Sequence, residues 1–209
     1  MLSEHLRVII VVYTSALLPL ILVPVMARMR VIPNWVVPVY IWSFVVCALG
    51  WELWFTYGWF EGDPVYLRRA EALNIAIPFH LNWALNSLAD AGAICLLSLL
   101  ILHITLGPHH DYLRAWSWPA FGILLIWFIG QNIFVEMFLY HDQLATGKPL
   151  SWAPFAPTGP WYNPVLLEFN GRTISLQGQW PWLIMTPLFY ACLIKYFNHD
   201  RARSKTQTQ

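Results

Sequence analysis

The chain has 209 residues, of which 58% are hydrophobic and only 11% are charged, whereas about 25% is typical of soluble domains. So few charges cannot cover an apolar core with a polar surface, which excludes a soluble globular enzyme, and a chain this apolar is not intrinsically disordered. The 12 Lys and Arg balance the 11 Asp and Glu and form no basic block, so we expect no nucleic-acid partner.

Five apolar segments follow one another along the chain. About 20 helical residues cross a hydrocarbon core of about 30 Å. The sequence therefore predicts an all-α, polytopic membrane bundle of five transmembrane helices in a single domain, residues 1–197, followed by a polar tail, residues 198–209. The predicted spans cover about residues 8–27, 36–59, 80–106, 118–140 and 180–197.

The distribution of Lys and Arg predicts the orientation of this multi-pass protein. An odd number of spans places the two termini on opposite sides of the membrane. Lys and Arg are somewhat more numerous on the side that carries the carboxyl terminus. Because positive charges are retained on the inner side, we expect a cytoplasmic carboxyl terminus.

Two connections are longer than a turn. Residues 60–79 contain Arg68, Arg69 and Glu71 in a short helical stretch, which predicts an amphipathic segment lying at the membrane interface. Residues 141–179 are rich in Pro and Gly, and Asn170-Gly171 separates two short apolar runs. That dipeptide in that setting predicts a short β-hairpin outside the membrane.

Three acidic residues lie within the predicted spans: Glu52 in the second, Asp90 in the third and Glu136 in the fourth. An acid at the centre of a span costs about 2.5–3.5 kcal/mol on insertion scales, so it turns towards the bundle interior. No Lys or Arg lies deep in the same spans to pair with them. A buried acid without a cationic partner favours its neutral form, which is a proton donor.

Polar side chains accompany two of these acids at a spacing of four residues, which places them on one face of a helix. The simplest packing turns the three polar faces towards one cavity, where the amides orient the acids. The alternative is that the amides only join helices, at about 0.6 kcal/mol each. The residues at this spacing are Asn82, Asn86, Asn132 and Tyr140, and Gln131 adjoins Asn132.

Tryptophan is the second conspicuous residue type inside the spans. The face of an indole ring stabilises a cation without attacking it, by about 2 kcal/mol when desolvated. We therefore expect the inner tryptophans to line a substrate site, with simple packing as the alternative. They are Trp51, Trp54, Trp83 and Trp127.

Cysteine and histidine give no sign of a metal site. Cys47, Cys95 and Cys192 are far apart, and the histidines lack a metal-binding spacing. We expect no metal and no other cofactor. His141, beside Tyr140 at the predicted mouth of the cavity, is expected to relay protons.

Two short segments resemble known membrane proteins. Gly130-Gln131-Asn132 through Glu136, followed by Leu139-Tyr140-His141-Asp142, resembles the fourth-helix segment of the emopamil-binding (EXPERA) family, whose last helix carries a Trp at about the place of Trp182. That resemblance implies five spans and either sterol Δ8–Δ7 isomerisation through a cation-like intermediate or ligand binding without catalysis.

Trp51-Glu52-Leu53 is similar to the Trp-Glu pair of integral-membrane terpene cyclases from meroterpenoid and indole-terpenoid pathways. That similarity implies that Glu52 helps to protonate an epoxide or an olefin. The second acid of that family lies in a late helix, and residues 180–197 contain none. Asp90 or Glu136 would take its place.

The sequence therefore predicts an integral membrane enzyme that starts carbocation chemistry, cyclisation or double-bond isomerisation, on an isoprenoid or steroid-like lipid taken from the bilayer. Glu52 donates the proton, and Asp90 or Glu136 holds or receives one. Three alternatives stay open: a non-enzymatic sterol- or lipid-binding protein, a subunit of a larger membrane complex, and a proton-coupled carrier. The partners expected are the hydrophobic substrate and membrane lipids, and a homo-oligomer is also open.

Overall fold

The computed structural model describes residues 3–58, 63–108, 111–139, 164–169 and 172–206. These residues are mostly helical, with one small sheet. A short 3₁₀ turn, Asp111–Leu113, lies between the sixth and seventh helices. The helices are α1 (Glu4–Arg28), α2 (Val36–Leu49), α3 (Trp51–Tyr57), α4 (Val65–Arg68), α5 (Glu71–Ala76), α6 (Phe79–Leu106), α7 (Trp118–Leu139) and α8 (Leu176–Thr206).

Three of these helices are long and apolar enough to cross a membrane: His5–Arg28 in α1, all of α6 and all of α7. The pair α2 and α3, bent by 44°, adds a fourth if it counts as one span. Within the described residues, α8 does not qualify by the same measure, although it contains the predicted span 180–197 and continues as helix into the predicted tail. The sequence prediction of membrane-spanning helices is thus confirmed for three or four spans, and a fifth is not.

Three irregularities interrupt these helices. The first is Gly50, which ends α2 with its N–H on the Val46 carbonyl at 2.9 Å. A Cβ built at Gly50 would lie 2.7 Å from the Val46 oxygen, so a larger residue does not fit this break. The other two are π-helical segments, Asp90–Leu96 within α6 and Val135–Leu139 within α7.

The helices pack in two neighbouring groups. The first half of α6 packs against α1, and the π segment of α6 contacts α2. The contact with α1 is close, because a Cβ built at Gly92 would overlap the ring of Pro19. In the second group α7 packs along α8, and Leu124, Phe128 and Tyr190 are fully buried between them and α6.

The predicted hairpin is present. Strands β1 (Val165–Phe169) and β2 (Arg172–Ser175) pair antiparallel, and Asn170-Gly171, the dipeptide that predicted the hairpin, lies outside the described residues. Ile174 is fully buried, and β2 leads directly into α8. The hairpin therefore anchors the start of the helix that carries much of the site described below.

Two arginines of the predicted interfacial segment, residues 60–79, are buried in the protein. The Arg68 side chain is 1% exposed and that of Arg69 is 3% exposed, so both guanidinium groups lie inside the bundle. They can be buried because backbone carbonyls inside accept their hydrogen bonds: Arg68 donates to Phe55 and Arg69 donates to Ile77.

Candidate functional site

Glu52 and Asp90 lie in one small cavity. Glu52 is the second residue of α3, directly after the break at Gly50, and Asp90 opens the π segment of α6. The two carboxyl groups are close enough to interact electrostatically. Both acids therefore meet as the sequence predicts, and each is placed by an irregular point in its helix.

The two acids differ in their hydrogen bonds. Trp51 Nε1 donates to Asp90 Oδ2 at 2.7 Å. Glu52 Oε2 is buried and accepts no hydrogen bond from any of the described residues, while the Asn86 side chain interacts with the same carboxyl group. A donor aimed at an oxygen favours the charged carboxylate, whereas an unpartnered buried oxygen suits the neutral acid. Because two buried carboxyl groups this close repel each other when both are charged, the arrangement fits one charged and one protonated acid.

The walls of this acid cavity come from α3, α6, α7 and α8. They combine the two acids with Trp51, Phe55 and Trp182 and with the polar side chains of Gln131 and Asn132. Its volume is about 60 Å³, which holds a few water molecules. A whole isoprenoid does not fit, and only one end of such a molecule could reach the acids.

Arg68 corrects the prediction that the acids lack a cationic partner. Its guanidinium stacks over the Phe55 ring, 4.6 Å from the centroid, and is close enough to act electrostatically on the Glu52 carboxyl. The sequence placed Arg68 in a segment at the membrane interface, and spacing alone could not show that the chain brings this segment close to the acids.

Arg69 occupies the adjoining position with its own set of acceptors. It donates to Asn74 Oδ1 at 2.7 Å and to Asn82 Oδ1 at 2.8 Å. Burial and, to a smaller extent, the Arg68 charge lower the pKa of Arg69 to about 10, so it stays charged at neutral pH. Asn82 also donates to Thr56 Oγ1 at 3.3 Å. Of the two predicted amides on α6, Asn86 therefore interacts with the Glu52 carboxyl group, and Asn82 accepts a hydrogen bond from Arg69.

Glu136 is not among the residues that line the acid cavity, so two of the three predicted acids share that cavity. Gln179 Nε2 donates to Glu136 Oε2 at 2.9 Å, and Asn132 Nδ2 lies 3.4 Å from Oε1. The same Asn132 amide also donates to the Gly178 carbonyl and to Gln179 Oε1, both at 3.0 Å. Glu136 belongs to a local hydrogen-bond network that joins α7 to α8. On the α8 side, the network consists of the Gly178 carbonyl and the Gln179 side-chain amide.

One of the predicted tryptophans lines the acid cavity, and others contact neighbouring helices instead. Trp51 lines the acid cavity, whereas Trp83 Nε1 donates to the Ala48 carbonyl at 2.7 Å and Trp127 Nε1 donates to the Ile94 carbonyl at 3.0 Å. Trp54 packs beside Phe55 and Val65. Trp83 and Trp127 thus join neighbouring helices through their N–H groups. The predicted site residue Gln131 lines the acid cavity, and its amide donates to the Phe128 carbonyl at 2.9 Å.

Two predicted site residues, Tyr140 and His141, lie outside the described residues. Within the described part of the chain, no group of three or more His, Cys, Asp or Glu could hold a metal ion. Cys47 and Cys95, distant in the sequence, are both fully buried, and their side chains interact beside the acid pair.

A larger apolar groove lies between α2 and α8. Its volume is about 650 Å³, and its walls include Val46, Trp42, Met185 and Cys192. One end of the groove carries Lys195 and His199. The other end approaches the acid cavity, because Met185 follows the cavity residue Trp182 by three positions on α8.

Sequence analysis named Trp182 only through a family resemblance and gave Gln179 and Arg68 no role in the site. Trp182 contacts the Trp51 ring with centroids 5.0 Å apart and the Phe128 ring with centroids 5.4 Å apart. A polar residue beside glycine at the start of a predicted span is a signal that could have indicated Gln179. Nothing in the local sequence around Arg68 indicates its return into the bundle.

No protein-family model, no curated protein and no solved structure matches this chain.

Proposed function

We propose that the chain is a multi-pass membrane enzyme that starts carbocation chemistry on an isoprenoid lipid with a proton from Glu52. The observation that carries this proposal is the meeting of Glu52 and Asp90, in different hydrogen-bonding states, in an aromatic-walled cavity. Five spans, with α8 as the last, suit the proposal, because α8 then lies in the bilayer together with the helices it packs on.

The proton transfer is balanced as follows. The Glu52 carboxylic acid gives its proton to a terminal double bond or epoxide of the substrate. In a double bond, the π electrons form the new C–H bond. In an epoxide, a lone pair of the oxygen takes the proton, and the electrons of the breaking C–O bond go to that oxygen. Either step leaves a tertiary carbocation. After ring closure or migration, the cation loses a neighbouring proton to the Asp90 carboxylate. The product is an isomer of the substrate, so no electron donor or acceptor is required.

Other groups of the site have supporting roles in this proposal. The Trp51 and Trp182 rings face the reacting end of the substrate and stabilise positive charge without adding to it. Trp51 also orients Asp90 through its N–H. Arg68 balances the negative charge of the acid pair and so allows two carboxyl groups to share one buried site.

Glu52→Gln tests the proposal, since it keeps the shape of the side chain and removes the proton. Cells that supply prenylated precursors would express the full chain, and lipid extracts would be compared by mass spectrometry. We expect product formation to fall by about 10²–10⁴-fold, the usual contribution of a general acid. Glu71→Gln, an exposed acid on α5, is the matched control and should retain full turnover. Full turnover of Glu52→Gln would refute the proposal.

The groove of about 650 Å³ favours a second candidate, a lipid-binding protein without catalysis. Such a protein needs the groove but not the proton. Ligand binding that survives Glu52→Gln and Glu136→Gln together, with no product from any isoprenoid supplied, would favour this candidate.

A further inference from the structure

The groove between α2 and α8 has two chemically different ends. Most of its wall is apolar, including Trp42, Val46 and Met185, but Lys195 and His199 stand at one end. No acidic residue is among the described residues that line it. Its volume lies within the range of about 300–1,000 Å³ that is typical of small-molecule sites.

We propose that this groove binds a linear isoprenoid chain that carries an anionic head group, a phosphate or a carboxylate, with the head group at Lys195 and His199. A Lys ammonium is a strong donor to such oxygens, and a long apolar wall beside it matches a chain attached to that head group. The stretch of α8 from Met185 to His199 is about 21 Å long at the usual helical rise, which fits an extended chain lying along the helix.

The inner end of the groove lies close along the chain to the residues that line the acid cavity. Met185 and Val46 line the groove, whereas Trp182, one turn before Met185, and Trp51, five residues after Val46, line the acid cavity. The Trp51 and Trp182 rings contact each other, with centroids 5.0 Å apart. A chain anchored at Lys195 therefore presents its far end to this aromatic pair, and beyond it to Glu52 and Asp90.

This arrangement explains why the acid cavity is so small. The groove holds the length of the chain, and the cavity needs to admit only its last double bond or epoxide. The role of the bound chain as substrate rests on the proposed function, whereas its binding is measured without turnover.

The test uses the full chain, purified in nanodiscs of neutral phospholipid. The probe is geranylgeranyl phosphate carrying a diazirine in its last isoprene unit, and the corresponding alcohol is the uncharged comparison. Cross-linked peptides are mapped by mass spectrometry, and affinity is measured by competition with unlabelled geranylgeranyl phosphate. We expect cross-links on α2 and on Trp51 or Trp182, and at least tenfold weaker binding of the alcohol.

Two pairs of variants separate the groove from the general lipid surface. Lys195→Gln with His199→Gln should weaken binding at least tenfold, whereas Arg28→Gln, an exposed charge at the end of α1, should not change it. Cys192→Trp fills the groove and should abolish cross-linking. Ala191→Trp places the same bulk on an exposed neighbouring position and should leave cross-linking intact.

Three results would overturn the inference: equal binding of phosphate and alcohol, cross-links spread equally over α1, or cross-links between two copies of the chain at this groove. Repeating the measurement with Glu52→Gln separates the two proposals. Binding that persists in this variant supports the groove site even if no turnover is found. Turnover without any effect of Cys192→Trp would reject the groove and keep the enzyme.

Discussion

At the residue scale, the local surroundings decide which acid can do chemistry. Glu52 and Asp90 are presented to a shared cavity, whereas Glu136 is surrounded by amide donors from Asn132 and Gln179. The sequence treats the three acids alike, because each sits in an apolar span with polar neighbours. Only the partners on other helices distinguish them.

Trp51→Phe tests the N–H that Trp51 donates to Asp90. The substitution keeps an aromatic ring against Trp182 and removes a hydrogen bond to a charged group, which contributes about 1.5–3 kcal/mol. We expect turnover in the lipid-extraction assay to fall at least about tenfold, since 1.4 kcal/mol corresponds to tenfold. Trp116→Phe, outside the site, should leave turnover unchanged. Equal turnover of the two variants would contradict a role for this hydrogen bond.

At the element scale, the acids occur where helices depart from regular geometry. Glu52 follows the break at Gly50, Asp90 opens one π segment, and Glu136 lies in the other. π-helical segments within α-helices are frequent at functional sites. They rotate the following residues, so the four-residue spacing that predicted common faces holds only up to each irregularity.

The junction of α7 and α8 depends on the absence of a side chain at Gly178. A Cβ there would overlap Glu136 Oε1, so Gly178→Ala forces the Glu136 network apart. We expect the free energy of unfolding to fall by about 1–3 kcal/mol, as for other overpacked sites, measured by thermal unfolding in detergent.

Gly122→Ala is the matched control, because a Cβ at that helical position meets open space. Helix propensity predicts a gain of up to about 1 kcal/mol there. If the two alanine variants prove equally stable, Glu136 is not packed against Gly178 as described.

At the scale of the whole molecule, the number of spans decides the topology. Three helices qualify as spans, α2 with α3 forms a bent fourth, and α8 is the remaining long helix. It packs along α7 and buries Tyr190 and Leu193, which suits a position inside the membrane bundle. Five spans place the two termini on opposite sides, and four place them on the same side.

Reporter fusions test this topology. With five spans and a cytoplasmic carboxyl terminus, green fluorescent protein at the carboxyl terminus should fluoresce and alkaline phosphatase there should be inactive. Alkaline phosphatase fused at the amino terminus should be active, because five spans place that terminus on the non-cytoplasmic side. The same behaviour of a reporter at both ends would show an even number of spans and exclude α8 as a fifth.

The sequence by itself determined that the molecule is mostly helical with membrane-spanning segments, where most of those segments lie, and the hairpin, because hydrophobicity and turn chemistry are local properties. It also identified Glu52 and Asp90 as acids that must turn inward, since the bilayer penalises them wherever they point outward. Tertiary structure alone decided that Arg68 and Arg69 fold back into the bundle, that Gln179 holds Glu136, and that a groove runs beside the acids. These features depend on contacts between residues far apart in the chain, for which no periodicity or spacing provides a signal.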